Sequence, residues 1–135
     1  MTQTIKTETF PIRTESDVVI VRKIVRQWST ELGFGIVDLT KTVTAASELA
    51  RNTVIYGGGG DLIMEALTSD RRKGLRMCFH DQGPGIPNLD LALTDGYTSG
   101  GGLGMGLSGS KRLMSEFDIQ SKPGEGTRVT ITKWK

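Results

Sequence analysis

Glycine placement constrains this chain more than any other feature of its sequence. Eighteen of the 135 residues are glycine, and most fall in two places, Gly57–Gly60 and the stretch from Gly83 to Gly109. Glycine loses more backbone freedom on folding than any other residue. Such density therefore marks positive φ or a close approach of some other group to the backbone. Gly57–Gly60, taken alone, is also compatible with a simple loop. In the second cluster the glycines alternate with apolar residues rather than with serines, which argues against a linker.

Between the glycines the apolar pattern spells regular elements. Residues 4–13 mix Thr, Ile and Phe with charges and include Pro11, which predicts an edge strand. Thr14 or Ser16 caps a helix whose first turn carries Glu15 and Asp17, at the positive end of its dipole. Val18, Val21, Val25, Trp28 and Leu32 recur at helical spacing, and Gly33 is suited to a left-handed C-cap. Asp38 is the expected cap of a second helix running to about Tyr56, with Leu39, Val43, Ala46, Ala50 and Thr53 or Val54 buried.

Residues 61–67 and 75–80 predict a hairpin with its turn within Ser69–Gly74, and Leu75, Met77 and Phe79 alternate with Arg76, Cys78 and His80. A short helix is expected over Asn88–Asp95 and a longer one from Leu103 to Phe117. A last hairpin then follows, formed by Ile119–Ser121 and Thr127–Trp134. The order β-α-α-β-β-α-β-β groups helices and strands instead of alternating them. That predicts an α+β fold, a two-layer α/β sandwich with a mixed, mostly antiparallel sheet and its helices on one face.

The length suits one domain spanning residues 1–135, long enough for a core of its own. The single cysteine, Cys78, has no internal disulfide partner, which fits a reducing, cytoplasmic setting. No run approaches the roughly 20 apolar residues that span a bilayer, and Met1–Lys6 lacks the order of a secretory signal. A net charge of +2 with few, scattered aromatics gives no argument for nucleic acid. No long apolar stripe stands out, and a monomer is expected for the free chain.

Four polar or glycine-rich segments carry candidate chemistry. Glu48 and Asn52 are four apart on the second helix and share a face beside its apolar stripe. The amide offers an oxygen to a hard cation such as Mg²⁺, and the carboxylate can take a proton from a nucleophile; the same pair could also be a solvated face. Asp81-Gln82-Gly83-Pro84-Gly85 ends a strand. Its carboxylate is an acceptor suited to an adenine amino group, although D-x-G-x-G also makes a plain tight turn.

Gly100–Gly106 opens a helix and frees backbone N–H groups for an anion. Gly104-x-Gly106-x-x-Gly109 matches the dinucleotide fingerprint but lacks the strand directly before it. Gly104–Lys111 misses a Walker A loop by ending Gly-Ser-Lys. Gly124-Glu125-Gly126-Thr127 sets a threonine hydroxyl at the start of the last strand or simply forms a β-turn.

In this order the four segments resemble the boxes of the GHKL superfamily of ATP-binding domains, shared by histidine kinases, gyrase, Hsp90 and MutL. Ser47–Asn52 is similar to its N box, Asp81–Gly85 to its first glycine box, Gly100–Gly106 to its ATP lid and Gly126-Thr127 to its last box. Longer segments, among them Glu31–Gly35, Asp81–Pro87, Gly101–Leu107 and Lys111–Met114, resemble the switch serine/threonine kinases of bacterial stressosomes.

The resemblance implies ATP and Mg²⁺ as cofactors, and phosphorylation of Ser or Thr on STAS-domain antagonist and scaffold proteins. It also implies subsequent binding and activation of a PP2C-type phosphatase. It makes Glu48 the general base, Asn52 the Mg²⁺ ligand, and Asp81 with Thr127 the adenine contacts. Gly83 and Gly85 admit the base, while Gly102, Gly104 and Gly106 close over the phosphates. Relatives that are anti-sigma factors share the boxes, so an anti-sigma factor or an ATP-gated binding module with little catalysis is the alternative. The segment from Gly85 to Gly102 contains no Lys or Arg, so charge on the γ-phosphate must be met from elsewhere, with Arg51 and Lys111 as candidates.

Overall fold

The structure is a computed structural model that describes residues 1–85 and 103–135, and for 103–106 the backbone alone. Its elements run β1 (Thr2–Ile12), α1 (Glu15–Glu31), α2 (Ile36–Ile55), β2 (Gly60–Ser69), β3 (Arg72–Asp81), α3 (Leu103–Leu113), β4 (Glu116–Ser121) and β5 (Thr127–Trp134). The predicted order is therefore observed, and β1 is an edge strand as expected. The short helix expected over Asn88–Asp95 lies outside the described residues.

The five strands form one sheet in the order β1-β2-β3-β5-β4, with all four pairings antiparallel. Period-two alternation decides which face is buried. Leu75, Met77 and Phe79 on β3 are fully or almost fully buried, and Val129 and Ile131 continue the layer on β5. The helices supply Val21, Val25 and Trp28 from α1, Leu39, Val43 and Leu49 from α2, and Leu107 from α3 to the same core. Arg76, Cys78 and His80 alternate onto the outer face and are half-buried. This is the predicted two-layer α+β sandwich. The same parity turns Asp81 and Thr127, paired across β3 and β5, inward at one end of the sheet.

Local chemistry explains most boundaries. Thr14 caps α1 through a reciprocal box: its Oγ1 accepts from the Asp17 N–H at 3.3 Å, and the Asp17 carboxylate accepts from the Thr14 and Arg13 N–H groups at 3.1 and 2.8 Å. Gly33 takes the expected left-handed conformation, φ 84°.

Two expectations are corrected and one is narrowed. Asp38 is not the cap of α2. Gly35 is, its carbonyl accepting from the Leu39 N–H at 2.9 Å, while Asp38 sits in the first turn, 3.7 Å from the Lys133 ammonium. The β2–β3 turn is only Asp70-Arg71, both at positive φ (48° and 72°), as a two-residue hairpin of matching twist requires. Helix α3 stops at Leu113 rather than Phe117. Glu116 onward pairs with β5, and the buried Lys133 donates to the Leu113 carbonyl at 2.9 Å. Strand pairing there overrides a helix-compatible sequence.

Candidate functional site

Asp81 closes one end of a cleft between α2, the ends of β3 and β5, and α3. Its side chain is inward-facing and only 9% exposed. Oδ1 accepts from the Gly83 N–H at 2.9 Å. Burial raises the carboxyl above the ordinary aspartate range, against the lowering pull of the Gly83 and Thr127 N–H groups and of His80.

Backbone packs unusually close around this carboxylate. A Cβ on Gly57, at the end of α2, would collide with the Asp81 carboxyl group, and one on Gly126 would collide with the Asp81 carbonyl. Gly83 lies against the Gly57 backbone and Gly85 against the Lys122 carbonyl, while the Gly124 N–H donates to the Pro84 carbonyl at 2.7 Å. The missing side chains of these glycines thus let three turns meet around one carboxylate.

The cleft encloses about 150 Å³ and is lined by Leu49, Asn52, Thr53, Tyr56, Gly57, Phe79, Asp81, Pro84, Gly85, Leu107, Thr127 and Val129. Engineered apolar cavities of about this size hold a benzene-sized ring. Apolar walls with a few polar groups are the usual composition of a small-molecule site. Thr127 Oγ1 lies 2.9 Å from Ser121 Oγ, which fixes the hydroxyl at the mouth of the β4–β5 hairpin.

Asn52 enters from α2. Its Nδ2 is buried with no hydrogen-bond partner among the described residues. A buried amide left unpaired costs free energy unless a bound group completes it. Turned over, the same amide presents its oxygen. No group of three or more His, Cys, Asp or Glu suited to a metal occurs among the described residues. A cation held through one protein oxygen, waters and phosphates is the usual habit of Mg²⁺, so the residues fit that ion.

Glu48 stands one turn earlier on α2, outside the lining, its side chain 43% exposed and Oε1 3.9 Å from Arg51 Nη1.

The structure thus gathers Asn52, Asp81, Gly85 and Thr127 round one cleft, with Gly83 packed behind it, and leaves Glu48 outside its lining, one turn from Asn52 on α2. Gly104 and Gly106 are in the first turn of α3, and Gly102 lies outside the described residues. Sequence reasoning did not identify Tyr56, Gly57, Phe79, Leu107 and Val129 as cleft residues. Tyr56 is four residues from Asn52, and Phe79 and Val129 are each two residues from Asp81 and Thr127. Helical and strand periodicity therefore carried a signal for them.

Known proteins resemble this arrangement. The profile of the family described as histidine kinase-, DNA gyrase B-, and HSP90-like ATPase matches residues 37–135. Serine/threonine-protein kinase RsbT of Bacillus subtilis is 47% identical over 91% of this chain and 92% of its own length. An anti-sigma F factor of Clostridium kluyveri is 32% identical over 71% of this chain and 70% of its own. Among solved structures, the RsbU and RsbW domains of Rv1364c from Mycobacterium tuberculosis superimpose with a TM-score of 0.65 at 22% identity. That match covers 96% of this chain and 33% of that one, and it shows the shared fold alone.

Proposed function

The chain belongs to the histidine kinase-, DNA gyrase B- and HSP90-like ATPases, and we propose that within them it is a serine/threonine-protein kinase of a partner-switching module. The observation that carries this reading is the 47% identity to RsbT across nearly the whole of both chains. The cleft supports it. Asp81 accepts a hydrogen bond from the adenine amino group with Thr127 beside it, and Gly85 borders the ring; the sequence resemblance assigns Gly102, Gly104 and Gly106 to the phosphates. Asn52 holds Mg²⁺, which when bound neutralises phosphate charge. Glu48 takes the proton of the substrate hydroxyl. The hydroxyl oxygen then bonds to the γ-phosphorus, the bond from that phosphorus to the bridging oxygen breaks, and ADP leaves. Positioning and charge neutralisation dominate such transfers.

The substrates in this reading are Ser or Thr of STAS-domain antagonist and scaffold proteins, after which the kinase binds and activates a PP2C-type phosphatase. One core cluster among the described residues supports a single domain over residues 1–135. No helix among the described residues is long and apolar enough to cross a membrane; a cytoplasmic, monomeric free form is part of this proposal.

The test uses γ-labelled ATP, Mg²⁺ and a lysate of the host, comparing wild type with Glu48→Gln. A general base contributes about 10²–10⁴-fold, so label on a small STAS-domain protein should fall by that factor in the variant. The identity to anti-sigma F factors favours a second reading, an anti-sigma factor or ATP-gated module. Tight ATP binding with no labelled protein, and co-purification with a sigma factor, would establish that reading instead.

A further inference from the structure

The large apolar side chains left exposed are not spread evenly over the molecule. Of the eight among the described residues, five lie on the two long helices: Val19 and Ile20 on α1, and Ile36, Val37 and Ile55 on α2, each 49–72% exposed. Val18, Val21, Val25 and Trp28 take α1 into the core. Val19, Ile20, Lys23 and Arg26 lie roughly 120–180° around the helix from the middle of that row, on the outer side. On α2 the buried residues are Leu39, Val43, Ala46 and Ala50. By the same count Val37, Lys41, Glu48, Arg51 and Ile55 are more than about 100° from that row and turn outward.

Charge on this helical face is equally one-sided. Between Val18 and Thr30, α1 carries Arg22, Lys23 and Arg26 and no acid. Helix α2 adds Lys41, and its two acids are already engaged, Asp38 with Lys133 and Glu48 with Arg51. Arg22, Lys23, Arg26 and Lys41 are exposed and have no ion-pair partner among the described residues. Cations on the sheet are better matched. Lys6 faces Glu8 and Glu31, Arg76 faces Glu65, Arg72 lies over the Trp134 ring, and Lys122 and Arg128 share their hollow with Glu125. Exposed apolar groups set among unmatched charge of one sign suit a protein partner of the opposite sign.

Resting on the kinase reading above, we propose that the protein bearing the phosphoacceptor hydroxyl docks on the outer face of α1 and α2. Its apolar side chains meet those of the two helices, and its carboxylates meet Arg22, Lys23, Arg26 and Lys41. Other occupants match this face less well. A second copy on a two-fold axis would set the same cations against one another. Nucleic acid would answer the cations and leave five apolar side chains unmatched. A bilayer needs a continuous apolar face, and the continuous stripes of both helices are already spent in the core. Glu48 gives the docking its purpose. It stands in the outer row, outside the cleft lining and one turn from Asn52, which does line the cleft. A base placed there meets a hydroxyl that arrives over the helices.

The test purifies the protein labelled in the lysate experiment and measures initial rates of phosphate transfer to it. The enzymes are wild type, Lys23→Glu/Arg26→Glu, the charge-keeping Lys23→Arg/Arg26→Lys, and Arg128→Glu on the sheet face. Reversing both helix charges should raise KM for the protein substrate at least about tenfold. It should leave kcat and KM for ATP within about twofold, the pattern of lost ground-state binding. Added salt should raise the wild-type KM more than that of the reversed variant. The charge-keeping variant and Arg128→Glu should behave as wild type. An unchanged KM for the protein substrate, or an equal rise in Arg128→Glu, would overturn the inference and leave the kinase reading standing. A concentration-dependent dimer of the free wild type that the reversed variant alters would give the face to a second copy instead. Salt-sensitive binding to duplex DNA or to phosphatidylcholine–phosphatidylserine vesicles, lost in that variant, would likewise overturn it. A lysate in which no protein is labelled removes the kinase reading itself, and this inference with it.

Discussion

At Asp81 the cleft is closed by chain packing on chain: Gly57 lies against the carboxylate, Gly83 against Gly57, and Gly126 against the Asp81 carbonyl, and the residue is 9% exposed. Outside the cleft lining, Glu48 and Arg51 are two half-exposed side chains on the otherwise regular α2. Around Asp81 even an added Cβ would collide, so recognition there comes from close packing. Glu48 and Arg51 are exposed enough for their rotamers to change, which the proton acceptor proposed at Glu48 needs. A kinase that must release one partner and take another gains from keeping these demands at separate places.

Gly57→Val should break the closed end most completely. Its side chain has to displace the Asp81 carboxyl group, so nucleotide binding should be lost in a titration. Stability in urea should fall by about 1–3 kcal/mol, the usual cost of overpacking. Asp81→Asn is milder. It keeps the shape and removes the charged acceptor, and should weaken ATP binding by about 1–3 kcal/mol and narrow the preference over GTP.

The raised carboxyl of Asp81 also fixes two opposite pH slopes. The native state holds that proton more tightly than the unfolded chain, so the group favours the fold below its unfolded value. This contribution is lost as pH rises through the raised folded value. In the proposed adenine contact Asp81 acts in its ionised form, so nucleotide affinity should instead fall as pH drops through the same raised value. Thermal melts and titrations across mildly acidic pH should show this group's share of both slopes, and Asp81→Asn should remove that share from each.

The smallest effect should come from the outer face. Glu65 accepts from Arg76 Nε at 2.9 Å, a contact that lowers the Glu65 carboxyl below its usual range. Both groups are partly exposed, so Glu65→Gln should cost under about 1 kcal/mol and leave nucleotide affinity untouched.

The local rules were legible in the sequence, and the non-local ones were not. Thr14, Gly33 and the alternation from Leu75 to Phe79 were readable because cap, turn and pleat depend on a few neighbouring residues. The end of α3 was not. Residues 114–117 are compatible with a helix, and only pairing with β5 and the Lys133 ammonium on the Leu113 carbonyl decide otherwise. The cap of α2 was misplaced for a related reason: a backbone carbonyl at Gly35 began the helix before the better side-chain cap at Asp38. In the cleft, Asn52, Asp81 and Thr127 could be named from their segments, whereas Gly57 read only as the end of a helix. Its closeness to Asp81 comes from packing α2 on the sheet, and no pattern in either segment records it.

Strand β5 comes last in chain order yet lies between β3 and β4. A ribosome adding about 5–20 residues per second exposes Asp81 a few seconds before it can deliver Thr127 and Val129. During that interval the wall they form does not exist, and the nascent chain has no cleft with which to hold a nucleotide. Ligand stabilises only the state that binds it, so ATP can reward the finished sheet and nothing earlier. Nucleotide would then stabilise the sheet only once residues 127–134 have been translated and seated.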